Sequence, residues 1–301
     1  MKEKKLKHFC FKFKAMGTLC EIQLFSEHPG KANRLGKRII ADVERLEAKY
    51  SRYRPESQLS QINNVALLGG SIVVDDETAV LLNYAATCYQ QSDGLFDITS
   101  GVLRGAWRFH AQRLPTQAEI DPFLEKVGWH KVNWQMPLLE FTQSGMELDL
   151  GGVVKEYAVD RAATLCREAN IKNGLINLGG DIRLVGPRGN GDPWIVGIEH
   201  PRQPSSVLLN LSVTRGALAS SGDYQRCIVI DGIRYAHILN PKTGWPVKHL
   251  AAVSVMSDFC VVAGSASTIA MLKEEQGPEW LRQLGLPHLW VDINGKQGGD
   301  L

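Results

Sequence analysis

The chain has 301 residues, 44% of them hydrophobic and 8% aromatic, enough to fill the core of one large domain or two closely packed lobes. Its 34 Lys and Arg balance 32 Asp and Glu to a formal charge of +2, which gives no electrostatic reason to expect nucleic acid as a partner. No apolar run approaches the roughly 18 residues of a membrane span, and the basic stretch 1–18 is interrupted by lysines where an export signal has its apolar centre. Cys10, Cys20, Cys88, Cys166, Cys227 and Cys260 show no CxxC spacing and suit reduced thiols, which points to a cytoplasmic protein.

In chain order, a loose apolar–polar alternation predicts a strand over 16–25. Leu35, Ile39, Val43, Leu46 and Tyr50 then recur at helical spacing, and a second helix is predicted over 77–91 behind Asp75 and Asp76 as capping residues. The stretch 104–145, rich in Trp and Pro, supports no detailed reading. After Asp149 a glycine turn leads into a helix through Val154, Ala158, Ala162 and Leu165. Strands are predicted at 174–186, 193–199 and 206–213, followed by a hairpin whose arms, 226–230 and 233–239, flank Asp231-Gly232. One more strand at 251–257, helices at 262–273 and 278–284, and a last strand at 288–293 complete an α+β pattern with antiparallel sheet.

Two clusters suit chemistry. Asp149-Leu-Gly-Gly-Val-Val-Lys155 sets two glycines at a helix start, where free N–H groups and the helix dipole attract phosphate. It equally describes an ordinary turn before a helix with a solvated lysine. His237-Ile-Leu-Asn240-Pro-Lys-Thr-Gly244 puts an imidazole beside a turn, as a titrating group or as one satisfied by a nearby carbonyl. The absence of G-x-S-x-G, HExxH and Walker A sequences removes the main support for serine hydrolase, zincin and P-loop readings.

These clusters stand in a series: FKFKAMGT ending at Thr18, SRYRPESQLSQIN from Ser51, GLFDITSGVL from Gly94, DLGGVVKEYAVDRA from Asp149, NLGGDI from Asn177, ALASSGDY from Ala217 and HILNPKTG from His237. In content and order the series resembles the ApbE family of FAD:protein FMN transferases, from Phe13 to about Leu284. The resemblance implies one ApbE-type domain over 1–301, with T-fold-like antiparallel sheets and packed helices. It also implies FAD as substrate, Mg2+ as cofactor and an acceptor flavoprotein with a Ser/Thr flavinylation motif as partner. By position, Met16, Tyr53, Leu95, Phe96, Asp97, Lys155 and Ile238 would line the FAD site, and Gly152 and Thr268 would hold the metal.

The implied reaction is attack of a Ser or Thr hydroxyl of the acceptor on the FMN-side phosphorus of FAD, with release of AMP. Lys155 would supply charge and His237 the base. Three positions depart from the family pattern: Gly264 where a metal-binding Asp is usual, Glu156 for a glycine, and Asn240 for an aspartate. The first favours, as an alternative, a member that binds FAD without transfer; a third reading sends water in place of the protein hydroxyl, making an FAD pyrophosphatase that gives FMN and AMP. The first departure also leads to the expectation that Gly264→Asp raises Mg2+ affinity. Asp97-Ile-Thr-Ser100-Gly-Val-Leu103 looks like an acceptor motif but lacks its terminal hydroxyl, and self-flavinylation is not expected.

Overall fold

The computed structural model describes residues 6–107, 113–203, 205–224 and 227–301. Residues 1–5 of the basic N-terminus, 108–112 of the stretch without a reading, and Arg226 at the start of an expected hairpin arm lie outside the described residues. The first strand, β1 (Lys7–Ala15), alternates half-buried Phe9, Phe11 and Phe13 with exposed Cys10, Lys12 and Lys14, the period of a strand with one covered face. Met16 and Gly17, both at positive φ (52° and 72°), turn the chain into β2 (Thr18–Ser26), the strand expected near 16–25.

Helix α1 (Pro29–Tyr50) buries the expected Leu35, Ile39, Val43, Leu46 and Tyr50. Its Gly36 is required by packing, because a Cβ there would lie 2.5 Å from the Phe11 ring. Helix α2 (Gln58–Leu68), which the periodicity did not reveal, begins at Ser57, whose side chain accepts a bond from the Ser60 N–H. After β3 (Gly70–Val73) comes α3 (Asp76–Gln91), capped by Asp75 through the Thr78 N–H at 2.9 Å. The stretch without a reading holds a 3-10 turn (Ile98–Gly105), α4 (Gln117–Leu124), β4 (Val132–Gln135) and β5 (Leu138–Phe141), and β3, β5 and β4 form a small sheet in that order.

Helix α5 (Val154–Glu168) leaves the Gly151-Gly152 turn as expected. The single strand expected at 174–186 is instead a hairpin, β6 (Gly174–Leu178) and β7 (Asp181–Gly186), folded at Gly179 and Gly180 with φ of 65° and 95°. Then follow β8 (Trp194–Glu199) paired to β9 (Val207–Val213), β10 (Ala217–Gly222), and the hairpin β11 (Cys227–Ile230) and β12 (Ile233–Ala236) about Asp231-Gly232, both at positive φ. The C-terminal elements are β13 (Leu250–Ser257), α6 (Cys260–Leu272), α7 (Gly277–Gln283), β14 (His288–Asp292) and β15 (Gln297–Gly299).

One antiparallel sheet of order β1-β2-β6-β7-β10-β13-β14-β15 organises these elements. Strand parity sorts its two faces. Ile22, Ile176, Leu178, Ala219, Val253 and Val255 join the main core with residues of α1, α5 and α6. Leu175, Leu184 and Leu218 pack with Trp194, Val196 and Ile198 of β8 in a separate core. The fold is thus α+β, antiparallel sheet with packed helices. Among the described residues no helix is long and apolar enough to cross a membrane.

Glu77 fastens α3 to α1 by accepting bonds from Arg45 Nη1 and Nη2 and from Lys49, each at 2.8 Å. The Arg45 hydrogen bond, aided by Lys49 against the opposing effect of burial, lowers its carboxyl from 4.5 to about 2. A carboxyl depressed on folding stabilises the native state above its unfolded pKa, and the contribution fades as pH falls from 4.5 towards 2. Glu77→Gln is therefore expected to lower stability at pH 7 and to flatten the acid limb in denaturant titrations. A stability difference from the parent that stays constant across that pH window would refute it.

Candidate active site

At the mouth of α5, Asp149 is occupied by its own neighbours. Its Oδ1 accepts the Gly151 N–H at 2.8 Å, which shapes the glycine turn, and its Oδ2 binds Arg52 at 2.7 Å and Arg104 more closely still. Arg52 in turn donates to the Tyr53 hydroxyl at 2.6 Å, and its guanidinium lies 4.8 Å from the Tyr53 ring centroid. Tyr53 remains 79% exposed, a flat ring held in place with one face open.

Two turns of the main sheet lie side by side next to this helix start. The Gly179 N–H donates to the Leu19 carbonyl at 3.0 Å, and a Cβ on Gly179 would fall 2.4 Å from Thr18 Oγ1. The Met16 N–H donates to Glu47 Oε1 at 2.6 Å, which ties the first turn to α1. Asp181 follows the second turn, and its Oδ2 forms a close ion pair with Lys155 Nζ. The same ammonium lies 4.0 Å from Glu156 Oε1.

This trio is largely dry. Asp181 is 2% exposed and Glu156 7%. Burial lowers the Lys155 pKa, but the Asp181 carboxylate, aided by Glu156, outweighs it, so the lysine stays an ammonium far above neutral pH. Burial and then Asp181 drive the Glu156 carboxyl upward, with Lys155 opposing them only in part. Glu156 Oε2 has no hydrogen-bond partner, and Asp181 Oδ2 has the Lys155 ammonium as its contact.

Helix α6 lies opposite. Ser221 of β10 shares hydrogen bonds with Ser267 at 2.8 Å and Thr268 at 3.0 Å, and Tyr84 bonds Ser265 at 2.7 Å, so the small polar face of α6 meets other hydroxyls. One turn before Thr268, a Cβ on Gly264 would lie 2.5 Å from Glu156 Cγ, 3.0 Å from its Cδ and 3.1 Å from Oε1. This contact stands in the way of the expectation for Gly264→Asp. The space an aspartate would need is already filled by a buried glutamate, and the variant would press two carboxylates together.

Among the described residues no three His, Cys, Asp or Glu side chains gather into a metal-holding group. What surrounds Thr268 and the α5 start is nonetheless oxygen, with one buried carboxylate oxygen, Glu156 Oε2, unpartnered. That donor chemistry fits a hard divalent ion, which keeps waters and substrate phosphates as most of its ligands.

The residues expected around a flavin fall into two kinds. Phe96 is buried, and its Cζ would lie 3.4 Å from a Cβ on Gly152, so the ring lies against the glycine turn. Met16, Leu95 and Ile238 are half-buried and pack on the same main core. Asp97 is inward: Oδ1 accepts the Thr99 N–H at 2.8 Å and hydroxyl at 2.6 Å, and Oδ2 accepts the Trp129 N–H at 3.0 Å. Its carboxylate therefore shapes the 95–99 turn. Burial raises its pKa, with the Thr99 and Trp129 bonds opposing.

His237 is exposed just past β12, in a loop closed by the Val247 N–H on the Ile238 carbonyl at 3.0 Å and by Gly244 on Asn240 at 2.8 Å. Trp107 donates to the Gly244 carbonyl at 2.7 Å and stacks edge-on to Trp245 at 5.3 Å, so its indole packs on this loop.

A family model described as the ApbE family matches residues 16–290. The chain belongs to the ApbE family. It is 26% identical over 291 residues to the FAD:protein FMN transferase of Haemophilus influenzae, covering 92% of this chain and 84% of that one. The crystal structure of the ApbE protein from Thermotoga maritima superimposes with a TM-score of 0.89 at 29% identity, covering 98% of this chain and 97% of that one. The flavin transferase ApbE from Vibrio cholerae does so with a TM-score of 0.85 at 26% identity, with the same coverage.

Within this ApbE fold the chain brings Gly152, Lys155 and Phe96 into one neighbourhood, with Tyr53 attached through Arg52 and Asp149. The sequence reading missed Asp181, although NLGGDI was among its motifs, because nothing in a strand-turn-strand pattern says which lysine an aspartate will meet. It also missed Glu47, Arg52, Arg104 and Ser221. An acid one residue past a double-glycine turn, where backbone crowds a ligand, is a signal that could have found Asp181.

Lys155→Met is expected to lower unfolding free energy by roughly 3 kcal/mol, since it leaves buried Asp181 without its cation. Adding Asp181→Asn should recover part of the loss. Urea melts of the parent and both variants provide the check, and parental stability for Lys155→Met would show that the pair does not hold α5 to β7.

Proposed function

We propose that this chain is an FAD:protein FMN transferase, which moves FMN from FAD to a Ser or Thr hydroxyl of an acceptor flavoprotein. The observation that carries the reading is membership of the ApbE family over residues 16–290, with Lys155 at the glycine-turn start of α5. The hydroxyl oxygen bonds to the FMN-side phosphorus of FAD, the bond from that phosphorus to the bridging oxygen breaks, and AMP leaves with the electron pair. The hydroxyl proton passes to a base, a role we give to His237, whose imidazole is exposed beside the half-buried Ile238.

The apolar faces of Met16, Leu95, Phe96 and Ile238, together with the open Tyr53 ring, suit the flat rings of FAD. Asp97 acts as a positioning residue through the turn it caps. Lys155 and the N–H groups at the α5 start carry charge toward the pyrophosphate. Gly152 and Thr268 would hold Mg2+, which when bound neutralises pyrophosphate charge and helps align it. Six free thiols, four of them buried, suit the cytoplasm as the compartment in which the acceptor is met.

Purified protein incubated with FAD, Mg2+ and a candidate acceptor domain should yield covalent flavin fluorescence on the acceptor and free AMP. His237→Ala should lower that rate by roughly 100-fold or more, the usual contribution of general-base catalysis. Free FMN with AMP and an unlabelled acceptor would replace transfer by hydrolysis, and intact FAD would leave binding alone.

A further inference from the structure

We infer that Glu156 is the carboxylate ligand of the divalent ion in this chain, reaching from α5 the space that Gly264 leaves open on α6. The inference rests on the FAD and Mg2+ reading above and assigns the anionic ligand within it. Its first support is exclusion of volume. A Cβ on Gly264 would sit 2.5 Å from Glu156 Cγ, and both residues are buried, so the two positions cannot both carry side chains in this packing. The Glu156 carboxyl carbon lies 3.0 Å from where that Cβ would be, and its Oε1 3.1 Å. A carboxylate projecting from residue 264 and the one projecting from residue 156 would thus share one small region between the helices.

The second support is an unmet valence. Glu156 Oε2 is buried and accepts no hydrogen bond, an arrangement that native proteins avoid unless a ligand completes it. Asp181 Oδ2 beside it is held by the Lys155 ion pair, so Glu156 Oε2 is the oxygen left open. One ammonium, Lys155, stands beside both carboxyl groups. Nearby Asp160 offers a contrast, since its oxygens are occupied by Arg183 and by the N–H groups of Cys260 and Val261 at 2.9 to 3.0 Å.

The third support is placement. Glu156 lies in the first turn of α5, just past Gly152, and abuts α6 at Gly264, four residues before Thr268 on the same face of that helix. Thr268 keeps its hydroxyl on this side of α6, against Ser221. One carboxylate, one hydroxyl and a backbone carbonyl are a sufficient protein share for Mg2+, whose remaining ligands are water and phosphate oxygens.

Mn2+ as the metal and ADP as the pyrophosphate probe allow a test without turnover, read by electron paramagnetic resonance of free Mn2+. The parent should bind Mn2+ in the presence of ADP, and Glu156→Gln, nearly the same in shape, should bind it roughly tenfold more weakly or worse while melting as a folded protein. Gly264→Asp alone should lose thermal stability, and Glu156→Gly alone should lose Mn2+ affinity. The double variant Glu156→Gly/Gly264→Asp should regain affinity to within about threefold of the parent. Parental Mn2+ affinity in Glu156→Gln, or a double variant no better than Glu156→Gly, would overturn the assignment while leaving the metal reading intact. A parent that binds no Mn2+ with ADP or with FAD would overturn the metal reading and this assignment with it.

Discussion

The close ion pair of Lys155 with Asp181 is the constraint on which the rest of the site depends. It joins the first turn of α5 to the first residue of β7, and both partners stand just past glycine turns that have little stiffness of their own. Through Gly179 the β6–β7 turn abuts Thr18, and through Glu47 the Met16 turn is anchored to α1. Three loops and two helices are thereby fixed relative to one lysine. A buried pair of this kind contributes little net stability because desolvation offsets attraction, so its value here is geometric.

Much of this frame was legible in the sequence because it follows from strong local rules. The glycine pair before α5, Asp75 before α3, and Asp231-Gly232 between short strands each have a physical reason to lie where they do. The elements that were missed have weak local signals. In β1 the alternating phenylalanines are half-buried and separated by lysines, so they read as an interrupted apolar run. Helix α2 buries only Leu59, Ile62 and Ala66, too few for a clear stripe, and the region after Ile98 uses a 3-10 turn and strands of four residues.

The candidate site divides in the same way. Motif order brought out Lys155, Gly152 and the Phe96 turn, since each is embedded in a block with its own backbone logic. Partners that meet only in space left no trace along the chain: Asp181 with Lys155, Asp149 with Arg52 and Arg104, Glu156 with Gly264. Asp97 shows a role that the motif does not reveal: its place suggests contact with the ligand, and in the fold both its oxygens accept bonds from backbone and Thr99 donors that hold the turn.

The Glu156–Gly264 contact also shows why a residue-by-residue comparison misleads at this site. Judged alone, Gly264 is a lost carboxylate and Glu156 an intrusive one, and both look like steps away from function. In this fold the Glu156 carboxylate fills the volume that a side chain at 264 would need. Either change made singly is unfavourable, because an added aspartate crowds the glutamate and a lone glycine at 156 opens a cavity beside Asp181 and Lys155. Strong coupling of that kind is what contact between two buried positions produces. The relevant unit at this site is therefore the charge held between α5 and α6, whichever helix carries it.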